Sequence, residues 1–122
     1  MKNIPGRAGW PSPAEEELTD LLSFDEWLLP RKEASVLVRV AGSAMTPAGI
    51  LPGDVAIVER GRQPNHGDIV VADIRGTLLL RFYERREGTP TLVAADSRHP
   101  PVIPNEDVTL LGGVTAVIRK YH

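Results

Sequence analysis

Several features that would indicate particular chemistries are missing from this chain of 122 residues. There is no cysteine, which excludes disulfides and thiolate catalysis. No apolar run approaches the roughly 18 residues of a membrane span. The N-terminal residues also lack the apolar stretch of a signal peptide, so we expect a cytoplasmic protein with no membrane contact. The net charge of −2 gives no indication of direct, sequence-specific DNA binding.

Motifs for cofactors and metals are missing as well. His66, His99 and His122 show no metal-ligand spacing, and His66 precedes a Gly-Asp pair, which is typical of a surface turn. Gly112-Gly113 lies between apolar stretches and predicts a bulge or a close approach between strands rather than a phosphate-binding loop. We therefore expect neither a metal nor a cofactor.

The chain does contain a series of short aliphatic segments, which predict a single, mainly β domain. Turn signals at Pro52-Gly53-Asp54 and His66-Gly67-Asp68 precede two of these segments, and side-chain bonds from each Asp to nearby backbone would stabilise both turns. Arg75-Gly76 predicts a two-residue hairpin loop. Strands are predicted at residues 36–40, 55–58, 69–74, 77–83, 91–95 and 108–119, and the fold is expected to contain about seven short strands. The continuous aliphatic runs favour a sheet that is buried on both sides.

The N-terminal third has a different composition. Residues 1–13 are rich in Gly and Pro and predict a flexible N-terminal arm, so the β domain is assigned to residues 14–122. Residues 14–27 begin with carboxylates and carry Leu18, Leu21 and Leu22 near a helical period, which predicts one short helix. Asp25 would begin a further short turn, and Pro30 would end it.

Six segments, in order along residues 8–118, resemble the UmuD/LexA family of self-cleaving proteins, and UmuD most closely. Ala8-Gly9 is similar to the family's cleavage site, and Gly42-Ser43-Ala44-Met45 is similar to its Gly-Xaa-Ser-Met nucleophile loop. The other matching segments are Gly49–Asp54 and His66–Val70 (the two Gly-Asp turns), Gly76–Arg81 (the lysine strand) and Asp96–Pro101 (an Asn-Ser-Xaa-Tyr-Xaa-Pro segment). The resemblance implies the mainly β fold of the LexA/UmuD C-terminal peptidase domain.

The resemblance also implies a serine peptidase in which a Ser-Lys dyad cleaves the protein's own arm. In such a dyad a desolvated, neutral lysine removes the proton from the serine hydroxyl. Here Ala44 occupies the nucleophile position and Arg81 occupies the general-base position. Ala44 has no hydroxyl, and Arg81 stays protonated at physiological pH, so we expect the protein to be proteolytically inactive. An arginine in the former active-site cleft would instead pair with a nearby carboxylate.

Substitute catalytic groups are scarce. Ser43 is adjacent to Ala44, but neighbouring side chains on a loop point in different directions, so Ser43 is a poor replacement nucleophile. The only lysines are Lys2, Lys32 and Lys120, and none is an obvious replacement base. We favour natural loss of the dyad over engineered inactivation, because a serine restored at position 44 would still lack its general base.

By resemblance, we expect a UmuD′-like accessory subunit of an error-prone translesion DNA polymerase in the SOS response. Only Met1–Ala8 precede Gly9, so the chain is expected to begin close to the processed form. The implied partners are a second copy, through the C-terminal strand, the polymerase subunit, the RecA filament and the replicative clamp. Two alternatives stay open: an active self-processing peptidase that uses Ser43, and the dimerisation module of a LexA-like repressor.

Overall fold

The structure is a computed structural model that describes residues 17–122. One short helix, α1 (Phe24–Leu28), and a single 3-10 turn at Lys32–Ala34 precede the strands, and a second 3-10 turn follows the first strand at Thr46–Ala48. The strands are β1 (Ser35–Arg39), β2 (Val55–Glu59), β3 (Ile69–Ile74), β4 (Thr77–Arg86), β5 (Thr89–Val93) and β6 (Val108–Ile118). The predicted mainly β fold with one short helix is confirmed, with six strands instead of about seven.

All six strands belong to one antiparallel sheet in the order β1-β2-β6-β3-β4-β5. The long strand β6 joins the two halves, because residues 113–118 pair with β2 and residues 108–113 pair with β3. Each of these pairings contains a register shift. A Cβ built on Gly112 would lie 2.4 Å from the backbone oxygen of Glu59, so a close approach requires glycine at this bend. The predicted role of Gly112-Gly113 is confirmed.

Two-residue turns set the register of β3, β4 and β5. Arg75 and Gly76 have φ values of 51° and 87° and connect Ile74 to its partner Thr77, as the sequence predicted. Positive φ at both central positions matches the right-handed twist of a hairpin. Glu87 and Gly88 repeat this geometry between β4 and β5, with φ values of 54° and 80°. The second hairpin was missed, because Glu is not a residue typical of this turn.

The core has two clusters, one containing Val70, Ala72, Tyr83 and Leu92 and the other containing Ala56, Val58 and Val71. Neighbours along β3 belong to different clusters because successive side chains point to opposite faces of a strand. The expectation of burial on both sides therefore holds for β2 and β3. It is wrong for the edge strand β1 and for the last part of β6, where exposure alternates.

The helix predicted over residues 14–27 is wrong in its extent. The α-helix contains only Phe24–Leu28, which is where the further short turn was expected, and residue Ser23 occupies its N-cap without a side-chain bond. Leu18, Leu21 and Leu22 are exposed by 85%, 103% and 60%. A short helix is marginal in water without a surface on which to bury its apolar side. Residues 14–16, the arm at 1–13 and the cleavage-like Ala8-Gly9 lie outside the described residues.

Among residues 17–122, no helix has the length and apolar character needed to cross a membrane.

Candidate functional site

A cleft of about 480 Å³ opens between the end of β1, the loop that follows it and the first half of β4. It is lined by residues 38–45 and 78–81 together with Ala56, Val71 and His99. Val38, Ala56, Val71 and Leu80 come from four different strands, and Val38 and Leu80 both pack against the second core cluster. The sheet therefore curls enough to bring the edge strand β1 and strand β4 to one cavity.

The loop after β1 is fixed by hydrogen bonds at both of its ends. The Val40 amide donates to the carbonyl of Asp54 at 2.8 Å, and the Gly53 amide donates to the carbonyl of Val40 at 2.7 Å. Within the loop, the Thr46 amide donates to the carbonyl of Ser43 at 3.0 Å. Met45 is 2% exposed, which anchors the loop in the protein interior.

Asp54 and Arg119 form an ion pair that ties this loop to the end of the chain. Arg119 Nε and Nη2 donate to the two carboxylate oxygens of Asp54 at 2.8 and 2.9 Å, and Nη2 also donates to the carbonyl of Gly49. The Leu51 amide donates to Asp54 Oδ2 at 2.8 Å, so the predicted turn-stabilising role of Asp54 is confirmed. The Arg119 and Leu51 hydrogen bonds lower the pKa of Asp54 to about 2. The carboxylate therefore stays charged at neutral pH and holds the loop in place.

A second loop closes one side of the cleft. The Asp96 amide donates to the carbonyl of Ala44 at 2.9 Å, which joins the loop after β5 to the loop after β1. Arg98 donates to both carboxylate oxygens of Asp96, and these bonds together with the Arg98 amide lower the pKa of Asp96 to about 2. His99 lies against the cleft, and its buried Nδ1 has no hydrogen-bond partner among the described residues.

Arg81 is the unusual side chain of the cleft. It lies on β4 opposite Val70 and is only 8% exposed. Nη1 donates to the carbonyl of Leu80 at 2.8 Å, while the buried Nε has no partner within residues 17–122. Burial lowers the pKa of Arg81, because a low-dielectric surrounding disfavours the charged form. The expectation of a nearby carboxylate partner is wrong for this part of the chain, since the bond to a backbone carbonyl takes its place.

The structure places the candidate residues of both segments around one cavity. Gly42, Ser43, Ala44 and Met45 line it from the loop after β1, and Arg81 lines it from β4. Ala44 is buried, whereas Gly42 and Ser43 are exposed.

His99 is the cleft residue whose position the sequence analysis missed, because its only signal was a place in a segment that resembles Asn-Ser-Xaa-Tyr-Xaa-Pro. His66 lies on the surface as predicted, and its Nδ1 accepts the Arg85 amide at 2.9 Å. The pairing of Asp54 with Arg119 was also missed, since 65 residues separate the two along the chain.

Neither Ala44 nor Arg81 supplies a group that acyl transfer requires. Alanine has no atom that can attack a carbonyl, and a guanidinium has five donors and no acceptor, so it cannot remove a proton. What this cleft offers is a positive charge beside apolar walls.

Comparison with known proteins identifies the family. The family model described as Peptidase S24-like matches residues 6–115. The chain is 35% identical over 116 residues to the LexA repressor of Carboxydothermus hydrogenoformans, covering 93% of this chain and 56% of the repressor. It is 32% identical over 114 residues to Protein ImpA of Salmonella typhimurium, covering 93% of this chain and 79% of ImpA. The LexA repressor of Streptomyces coelicolor is 36% identical over 113 residues, and the chain covers 47% of its length.

The chain thus spans about half the length of these repressors and about four fifths of ImpA. The family matches cover both the loop that carries Ala44 and the strand that carries Arg81. The resemblance drawn from sequence motifs is confirmed: the chain belongs to the Peptidase S24-like family.

Proposed function

We propose that this protein is a proteolytically inactive member of its family that acts as a UmuD′-like accessory subunit of an error-prone translesion DNA polymerase. In this proposal Ala44 stands at the former nucleophile position and Arg81 at the former general-base position. The protein works in the cytoplasm by binding other proteins in the SOS response, and its former active site is a cleft without peptidase chemistry.

One observation carries the proposal: Ala44 and Arg81 line the same cleft. This supports the proposal, because the loop and the strand that resemble the dyad segments meet in one cavity while neither Ala44 nor Arg81 carries a reactive group. A fold that keeps this cleft without its chemistry is suited to a binding role. The relatives ImpA and LexA both support membership of the family, and the choice of a UmuD-type role rests on the sequence motifs.

The partners follow from the resemblance to UmuD. A homodimer through β6 is proposed, with the polymerase subunit as the principal partner and the RecA filament and replicative clamp as further ones. Strand β6 bridges the two halves of the sheet, and Val117 near its end is 37% exposed. An apolar side chain exposed on this strand is compatible with a contact to a second copy.

The proposal is tested by expressing the chain in a bacterial strain that lacks its UmuD-type subunit but retains the partner polymerase. We expect the chain to restore damage-induced mutagenesis while remaining full-length. A double variant of the exposed face of β6, Thr115→Asp with Val117→Asp, tests the dimer in the same strain. Failure of the unaltered chain to restore mutagenesis, despite its stable expression, would contradict the accessory role.

The active-peptidase alternative depends on Ser43. Ser43 lines the cleft, but its hydroxyl makes no hydrogen bond to any described residue, and the other polar side chains of the lining are Arg39, Arg81 and His99. A self-cleavage reaction abolished by Ser43→Ala would establish this alternative. The repressor-module alternative predicts instead that the chain associates with a separate DNA-binding domain, which co-purification tests directly.

A further inference from the structure

Two arginines of the cleft lining, Arg39 and Arg81, carry positive charge, and the lining contains no Asp or Glu of residues 17–122. His99 also lines the cleft, with its Nδ1 3.8 Å from Asp96 Oδ2. Arg39 donates to the carbonyl of Gly53 at 3.1 Å, so its guanidinium is held by a backbone oxygen. Arg81 donates only to the carbonyl of Leu80, and no described carboxylate neutralises it.

A buried guanidinium without a counter-charge would destabilise a protein whose cleft binds no ligand. Arg81 is more than nine-tenths buried, and its Nε lacks any partner among residues 17–122. A buried, unpaired charge is strongly unfavourable, and buried arginines in proteins are normally paired with carboxylates or phosphates. The planar guanidinium still has donors to offer, and its fork matches both oxygens of a carboxylate. The partner that Arg81 lacks is therefore an anion outside residues 17–122.

The backbone of β4 indicates how that anion is presented. Strand β5 pairs only with residues Phe82–Arg86, so within residues 17–122 the first half of β4 has one free edge. The Tyr83 amide and carbonyl both bond on the β3 side, to Asp68 and Gly67. Because these directions alternate along an antiparallel strand, Leu78 and Leu80 direct their backbone groups away from β3, along the free edge. The Leu80 carbonyl on this edge already accepts Arg81 Nη1, which leaves the Leu80 amide and the Leu78 groups for a peptide. An extended peptide can add to such an edge by main-chain hydrogen bonds.

We propose that the cleft binds an extended segment of a partner protein and that Arg81 recognises an Asp or Glu side chain of that segment. The free edge of β4 binds the backbone, while the apolar residues of the lining, such as Ala41, Ala44 and Leu79, contact the flanking side chains. The carboxylate satisfies Nε and neutralises the charge of Arg81. Arg81, at the former general-base position, thereby determines the specificity of the binding site.

The inference rests on the proposed function only in taking the cleft to be non-catalytic. The two fail separately, because peptide binding is measured without a polymerase and mutagenesis is measured without a peptide. If the bound peptide were cleaved, mass spectrometry of the binding mixture would show it, and the proposed function would fail first.

The test uses the full chain and two labelled pentapeptides, Ala-Val-Glu-Val-Ala and its Gln counterpart, in fluorescence anisotropy at neutral pH. We expect the Glu peptide to bind at least about tenfold more tightly, the usual size of a charge-assisted hydrogen bond being above 1.4 kcal/mol. Arg81→Met should bring the two affinities within about twofold of each other, and Arg81→Lys should retain part of the preference. Arg85→Met, at an exposed arginine of the same strand, is the matched control and should keep the full preference.

Four results would overturn the proposal. The unaltered chain could bind both peptides equally or bind neither, results that do not depend on the folding of any variant. Arg85→Met could reduce the preference as much as Arg81→Met, which would indicate a diffuse charge effect. Finally, replacing Glu15, Glu16 and Glu17 by Gln could strengthen peptide binding, which would assign the carboxylate to the chain's own acidic segment instead of a partner.

Discussion

Replacing Arg81 by Met should make the protein more stable, although it removes a hydrogen bond. The variant loses the bond from Nη1 to the Leu80 carbonyl, worth about 1.5–3 kcal/mol for a charged donor. It also removes the desolvation of a guanidinium that is 8% exposed and whose Nε has no partner among residues 17–122, a penalty of several kcal/mol. Met keeps most of the aliphatic packing, and the Leu80 carbonyl remains beside an open cleft where water can bind. The net expectation is a gain of about 1–2 kcal/mol in the free energy of unfolding.

Urea unfolding followed by circular dichroism measures this change. With an m-value of roughly 1.5 kcal/mol per molar, the gain raises the midpoint by about 1 M without altering the slope. Arg85→Met, on the exposed end of the same strand, should leave the free energy of unfolding within about 0.5 kcal/mol. A midpoint for Arg81→Met at or below that of the unaltered protein, with an unchanged slope, would refute the assignment of Arg81 as an unpaired buried charge.

Three further predictions concern positions 44 and 81, the bend of β6 and the response to acid. The double variant Ala44→Ser with Arg81→Lys should restore self-cleavage of the N-terminal segment, which intact mass detects. Each single variant should stay inert, because a nucleophile and its base act as one unit. If the double variant also stays inert, residues 44 and 81 are not the dyad positions. Gly112→Ala should lower the free energy of unfolding by about 1–3 kcal/mol, because its Cβ would lie 2.4 Å from the backbone oxygen of Glu59. Gly113→Ala should have a smaller effect, because its Cβ would meet only the flexible side chain of Arg62. Equal effects of the two variants would contradict this prediction. The pKa of Asp54 falls from 3.8 to about 2 on folding, so its stabilisation is complete above the higher value and is lost as the pH falls toward the lower one. Urea midpoints below about pH 4 should therefore fall more steeply for the unaltered protein than for Asp54→Asn, and parallel curves would contradict the ion pair.

Local sequence signals predicted the strands and the first hairpin well. Arg75-Gly76 has the composition of a two-residue turn, and the aliphatic runs on both sides of it have the composition of strands. The helix was misjudged because Leu18, Leu21 and Leu22 have helical spacing but no surface to cover in the described domain. Periodicity records which side chains share a face, and it does not record whether another element packs on that face.

The candidate site was only partly predictable. Motif order indicated the loop of Ala44 and the strand of Arg81, and the curl of the sheet brings them to one cleft. The contact of Asp96 with the Ala44 carbonyl and the pairing of Asp54 with Arg119 depend on long-range packing, which leaves no local pattern. The lack of a carboxylate partner for Arg81 among residues 17–122 was not predictable either. The sequence contains 16 acidic residues and does not show which of them lie near Arg81.

The central claim, a retained cleft without peptidase chemistry, is tested most directly by intact mass spectrometry of the unaltered protein. The protein is incubated with RecA filaments on single-stranded DNA and nucleotide, and a parallel sample is incubated at alkaline pH. An active member of the family, treated in the same way, provides the positive control. We predict an unchanged mass under both conditions. Loss of residues 1–8, prevented by Ser43→Ala, would contradict the account and identify Ser43 as a working nucleophile.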